Sequence, residues 1–286
     1  MASELSTTSI AVYNRMLDAL KKKIGKEDFL LDHEGTINWI ETSQYSHNTK
    51  KTYYITLVST LKSRQDEGAV KALEFYRAKM NDYNAKQQQI YETQEMSEKE
   101  KEKYLTWGEI AKVRNELEHE ADDLFSFQEY LIVCLYTLMP PIRLDYAFMK
   151  VVHSMPTETS GNYLVVLPKQ MKIVLNNYKT AKKYGTIILD IPKKLEVVVH
   201  KWLNMFLETP EYLLYNHKGE PMSESLLSST IRNTFYKKTK KAASVNTLRH
   251  SFVSQHRKGE KSLNEIKKVA SQMCHSATMN ALYRRL

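Results

Sequence analysis

Apolar residues recur at three- and four-residue steps through most of the first 90 positions. One run holds Ile10, Tyr13, Met16, Leu17 and Leu20, and a second holds Ile37, Trp39 and Ile40. A third holds Tyr53, Tyr54, Leu57, Val58 and Leu61, and a fourth Val70, Ala72, Leu73, Phe75, Tyr76 and Met80. This is the period of an amphipathic helix. Gly and Pro are scarce here, so residues 8 to 90 are expected to form a helical bundle. The polar stretch from Ser46 to Lys51 can cap the third helix and reach a phosphate.

Residues 83 to 103 lose the pattern and alternate in charge, as in Ser97-Glu-Lys-Glu-Lys-Glu-Lys. Such a run is a solvated helix face or a linker, and a domain boundary is expected near residue 98, giving domains 1–97 and 98–286. Thr106 and Glu109 have the spacing of a capping box. An acidic helix over Glu116–Asp123 and an apolar one over Leu124–Leu138 are expected to follow, stopped by Pro140-Pro141. The pattern then changes to short β-branched runs, Tyr163–Leu167, Gln170–Leu175 and Thr186–Ile191, bounded by Gly161, Pro168, Gly185 and Pro192. These predict a three-stranded antiparallel sheet whose last two strands form a hairpin with the loop Asn176–Gly185. Helical spacing resumes at Leu195. The fold class expected is mainly α with a small antiparallel β-sheet (α+β).

Composition narrows the partner. The formal charge is +9, with a pI of about 9.2, which favours a polyanion, nucleic acid before anionic membrane. With 42% hydrophobic residues the chain can build real cores. Its two cysteines, Cys134 in an apolar run and Cys274, imply no disulfide framework and have no metal-ligand spacing, so no metal or other cofactor is expected. The start Met1-Ala-Ser-Glu-Leu does not read as a signal peptide, and no apolar run is long enough to span a bilayer. A soluble, intracellular protein is the expectation, with no membrane and no small-molecule substrate.

The chemistry concentrates near the chain end. Arg249 stands in Asn246-Thr-Leu-Arg249-His250-Ser, His275 in Met273-Cys-His275-Ser, and Tyr283 eight positions later. Arg143 lies upstream in Pro140-Pro-Ile-Arg143, and Lys179 in Asn177-Tyr-Lys179-Thr. Cutting a DNA strand without metal requires a nucleophile for phosphorus, cations for the phosphorane charge, and a proton donor for the leaving 5′-oxygen. Tyr283 fits the nucleophile, and its phosphate ester would conserve the bond energy for resealing. Arg143 and Arg249 fit the clamp, because a guanidinium stays charged and bonds two phosphate oxygens at once. Lys179, on the hairpin loop, is the candidate acid, with Lys182 in reserve. His275 would bond a non-bridging oxygen or position Tyr283. His250 is expected to point elsewhere, into local packing or a carboxylate. Asp145, two residues after Arg143, either orients a site group or is a surface acid. Taken singly, each of these residues has an ordinary structural explanation; the order and combination favour the chemistry.

The combination resembles the tyrosine recombinase (phage integrase) family, whose pattern is Arg, Lys, His-x-x-Arg, His or Trp, then Tyr, behind a helical core-binding domain. The motifs cover roughly residues 100 to 286, and the N-terminal helices match by architecture. The Pro-Pro-x-Arg form is similar to recombinases of large DNA viruses, virophages and eukaryotic mobile elements. In the family's His-x-x-Arg, Asn246 stands where the histidine usually does; asparagine can donate a hydrogen bond to phosphate but cannot exchange a proton at neutral pH. The chain ends three residues after Tyr283, where many members continue with a segment that packs on a neighbouring subunit, so the expectation is that assembly uses other surfaces or that the sequence is incomplete at its end. The resemblance implies a clamp around double-stranded DNA, a 3′-phosphotyrosine intermediate, a synaptic tetramer, and the integration or excision of a viral or mobile genome, in a host nucleus or viral replication compartment. A type IB topoisomerase or telomere resolvase shares the chemistry, and a catalytically inactive DNA-binding relative is the remaining alternative.

Overall fold

A computed structural model describes residues 7–259 and 261–285, which fall into two compact units divided between Thr93 and Gln94. The first unit is four helices: α1 (Thr7–Ile24), α2 (His33–Thr42), α3 (His47–Leu61) and α4 (Glu67–Thr93). Each of the four apolar runs contributes to its core, where Leu20, Ile40, Leu57, Leu61 and Tyr76 are fully buried. Asp32 and Ser46 cap α2 and α3, each accepting a backbone N–H from the first turn. Glu41 is held by two phenols, Tyr54 Oη at 2.6 Å and Tyr83 Oη at 3.0 Å, which meet the requirement that a sheltered carboxylate be hydrogen-bonded. The polar stretch after position 83 is in its first half the exposed end of α4, and helix is absent over residues 94–97 and again after Lys101.

The second unit opens with α5 (Glu98–Lys101), α6 (Trp107–His119) and α7 (Leu124–Thr137). Thr106 and Glu109 form the expected capping box. The separate acidic helix expected over Glu116–Asp123 does not exist: residues 116–119 end α6, and Asp123 is instead the cap of α7, accepting from the N–H groups of Phe125 and Ser126. Asp is a poor helix interior and a good N-cap, which decides the division. In α7, Tyr130 to Thr137 are all buried, Cys134 among them, and helix stops before Pro140.

The sheet corrects a second expectation. It has four strands in the order β1 (Lys150–Val152), β2 (Asn162–Val166), β3 (Met171–Leu175) and β4 (Ile187–Asp190), and it is mixed, because β1 pairs parallel to β2 while the other pairs are antiparallel. A three-residue strand carries no periodicity of its own. The β1 segment is extended because it lies between β2 and the segment 211–213, with Val151 N donating to Glu211 O and Leu213 N to Met149 O. Leu164, Ile173, Leu175 and Leu189 pack into the main core, and Tyr163, Val165 and Val174 form a second cluster. Burial on both faces explains why β2 and β3 read as continuous apolar runs.

Within the β3–β4 connection lies α8 (Ala181–Tyr184), and the remainder is α9 (Lys193–Leu203), α10 (Glu224–Thr239), α11 (Val245–His256), α12 (Leu263–Gln272) and α13 (Ala277–Leu282). Among the described residues no helix is long and apolar enough to cross a membrane.

Candidate active site

Three short-range features of the sequence place the site's side chains. Ser244 and Thr247 cap α11, so Asn246 falls in its first turn, with Arg249 and His250 a turn further on. Helix α12 ends at Met273, and Cys274 takes a left-handed conformation (φ 57°), unusual for a residue with a Cβ. That turn redirects the chain so that His275 faces α11. Ser276 then caps α13, and Tyr283 closes it, packed with Val253, Val269 and Met273.

Arg249 is 1% exposed. A buried guanidinium requires acceptors, and it has them: Nη1 donates to Pro141 O at 2.6 Å, both terminal nitrogens approach Met273 O at 3.4 Å, and Nη2 donates to His275 Nδ1 at 3.0 Å. The Tyr283 ring covers it, with 4.7 Å from the guanidinium carbon to the ring centre, a cation–π arrangement. The His275 and Tyr283 rings are 5.2 Å apart. Burial lowers the Arg249 pKa, an effect the adjacent Tyr283 phenol opposes. Burial likewise pushes His275 down to about 3, helped by the charges of Arg249 and Arg143, so the imidazole is neutral at physiological pH.

Arg143 is half-buried, and its backbone is fixed at both polar atoms: Tyr136 Oη donates to Arg143 O at 2.6 Å, and Arg143 N donates to Asp145 Oδ2 at 3.1 Å. Asp145 therefore orients the first arginine from within the chain. Burial raises the Asp145 pKa, and the bond from Arg143 and the charges of both arginines oppose that rise.

Lys179 is exposed, between two anchors. On one side, the buried Asn162 amide satisfies four backbone groups: Oδ1 accepts from Asn176 N and Asn177 N, and Nδ2 donates to Asp145 O and Asn177 O, all at 2.9–3.0 Å. On the other, Thr180 Oγ1 donates to Cys274 O at 3.1 Å. The turn carrying Lys179 is thereby tied both to the Arg143–Asp145 segment and to the residue preceding His275. Lys182, also exposed, lies beyond these anchors on α8.

His250 departs from expectation. It does not point elsewhere but packs on the nucleophile candidate, its ring 4.8 Å from that of Tyr283. Its Nδ1 donates to Tyr283 O at 2.7 Å, leaving Nε2 to accept from Asn246 Nδ2 at 3.3 Å and Arg285 Nη2 at 3.4 Å. Burial and the Arg285 charge push His250 down to about 4. Arg285 also donates to Glu100 Oε1 at 3.2 Å, and its backbone N–H to Ser254 Oγ at 2.8 Å, which fastens the segment after Tyr283. Asn280, fully buried, lies 3.3 Å from His275 Nε2. Sequence reasoning passed over Asn162, Asn280, Glu100 and Arg285, whose spacing carries no motif. His250 had one signal, its place a helical turn after Asn246.

Two clefts open beside the cluster. One of about 650 Å³ is lined by β4, Lys268, Gln272, Cys274 and His275. Another of about 250 Å³ is lined by Lys99, Lys103, Asn246, His250 and Arg285 and carries several basic groups.

No family model matches the chain, and no curated protein matches it. Among solved structures it is similar to a XerA recombinase, at 16% identity and a TM-score of 0.46 over 99% of this chain and 88% of that one. It is also similar to a XerH site-specific recombinase bound to its difH substrate in a pre-cleavage complex, at 15% identity and a TM-score of 0.47, over 90% of this chain and 65% of that one.

Proposed function

We propose that this protein is a site-specific tyrosine recombinase that cuts and rejoins double-stranded DNA. The observation that carries the reading is the convergence of Arg249 from α11, His275 from the turn between α12 and α13, and Tyr283 from the end of α13 into one contact cluster. In this reading the Tyr283 hydroxyl attacks the scissile phosphorus and loses its proton to water. The bond to the 5′-oxygen breaks, Lys179 protonates that oxygen, and a 3′-phosphotyrosine remains. Arg143 and Arg249 stabilise the charge developing on the phosphorane, and such preorganised donors act most strongly in the transition state. Asn246 supplies a further hydrogen bond to phosphate, and His275 helps position Tyr283. Rejoining is the reverse reaction with a new 5′-hydroxyl, and it needs neither metal nor ATP.

The helical unit, residues 1–97 in the sequence reading, is proposed to take one face of the duplex and the catalytic unit the other. Four protomers would exchange strands, in the integration or excision of a viral or mobile genome. The charge of +9 supports a phosphate-dominated affinity that falls steeply with salt.

The test is covalent trapping. The protein is incubated, without metal or ATP, with phosphorothiolate-bearing duplexes tiling candidate sites of its own genome, then run on a denaturing gel. A band shifted by one DNA strand, absent in Tyr283→Phe although that variant still binds DNA, supports the reading. Equal loss of DNA binding in Tyr283→Phe would make the tyrosine structural. The closure of Arg249 by protein carbonyls and the Tyr283 ring favours, as a second reading, a DNA-binding relative without strand transfer. Salt-sensitive binding with no covalent band at any site would select it.

A further inference from the structure

The donor and acceptor roles around His275 decide more than its place. An arginine has donors only, so the nitrogen it meets must accept. His275 Nδ1, 3.0 Å from Arg249 Nη2, is therefore unprotonated, and in the neutral ring the proton sits on Nε2. The atom facing Nε2 must then accept. That atom belongs to the amide of Asn280, 3.3 Å away and fully buried, so no bulk water competes for the place. An amide presents either its oxygen or its nitrogen to a partner, and the network decides which. With nitrogen toward His275, two donors would face each other and the buried Oδ1 would have no partner. With the amide turned half over, Oδ1 accepts from Nε2–H, while the nitrogen gives up a weak contact to Met273 Sδ and takes the buried place of the oxygen.

We infer that Asn280 is a positioning residue that holds His275 in its Nε2–H form, completing a directed chain from Arg249 through His275 to the Asn280 oxygen. The chain explains why a full-length amide occupies a wholly buried position on a helix of six residues, between Met279 and Ala281, where an apolar side chain would otherwise serve. It also gives the buried arginine a fixed acceptor. If the proton moved to Nδ1, an N–H would point at the guanidinium, and the clamp would lose that bond and shift. The kinetic consequence of this inference rests on the strand-transfer reading; the tautomer itself does not.

The experiment is nitrogen-15 spectroscopy of the histidine side chains in the full chain, with the His275 signal assigned by its loss in His275→Gln. Wild-type protein is expected to show His275 with Nε2 protonated and Nδ1 bare, without averaging. In Asn280→Leu, close in size and without an acceptor, the signal is expected to move toward a mixture of tautomers. Covalent capture is expected to slow by about 10- to 100-fold with DNA binding unchanged, the scale expected for a site group displaced by about an ångström. A wild-type His275 protonated on Nδ1, or averaging between tautomers, overturns the inference even if no variant folds. So does Asn280→Leu with an unaltered His275 signal. If wild type never captures DNA yet shows the predicted tautomer, the strand-transfer reading fails while the role of Asn280 stands.

Discussion

The guanidinium carbon of Arg249 lies over the ring of Tyr283, 4.7 Å from its centre. The proposed nucleophile and half of the proposed phosphate clamp are thus each other's packing partners before any DNA arrives. A scissile phosphate has to enter between or beside them, replacing contacts that the protein now makes to itself.

The two arginines should respond differently to removal. Arg249→Ala leaves the carbonyls of Pro141 and Met273 and the Nδ1 of His275 without their buried donor, so it should cost about 2–4 kcal/mol of stability as well as capture. Arg143→Ala, at a half-buried side chain, should leave the melting temperature within a few degrees while lowering the capture rate by about 10²–10³-fold. Thermal melts alongside capture kinetics check the contrast. Equal destabilisation by both would remove the distinction between a buried strut and a phosphate ligand.

Asn162→Leu deletes an amide that serves four backbone groups. It should destabilise the protein by about 2–4 kcal/mol and free the turn carrying Lys179. Hydrogen exchange at Asn176 and Asn177 should accelerate well beyond that at β3, and unchanged protection there would show that the turn holds itself.

Asn246→His restores the residue type usual in the resembled family. Its side chain is exposed and one helical turn from His250, so the substitution needs no repacking. Capture should be maintained or rise. A collapse, measured as single-turnover rate at equal DNA occupancy, would mean that the geometry around Asn246 differs from that of the family.

The neutral histidines make stability depend on pH. His250 and His275 are held at about 4 and about 3, below the ordinary value near 6.5. Between those values the unfolded chain binds protons that the folded chain refuses. Stability is therefore full above about pH 6.5 and declines as pH falls toward 4, by at most about 1.4 kcal/mol per pH unit for each histidine. The raised Asp145 carboxyl acts in the opposite sense in the most acidic part of that range. Denaturant midpoints of wild type against His275→Gln over pH 4–8 should show a shallower decline in the variant; parallel curves would contradict burial of a neutral ring.

Much of this was readable along the chain. Helical spacing located α1 to α4, the Thr106–Glu109 pair marked the start of α6, Pro140-Pro141 marked the end of α7, and the β-branched runs located β2 to β4. These features depend on residues within a few positions of each other, and local propensity and periodicity report on them directly. Arg143, Lys179, Asn246, Arg249, His275 and Tyr283 were singled out for another reason, their order along the chain, and the structure brings Arg249, His275 and Tyr283 of that set into contact. What only the tertiary structure decided depends on distant partners. β1 is extended because two other segments flank it, His250 turns to a carbonyl 33 residues away, Asn162 joins two loops, and Asn280 meets His275 inside a core. Asparagine and histidine have no strong local preference to declare such roles; burial removes water, and whichever acceptor then lies within reach sets what each nitrogen and oxygen does.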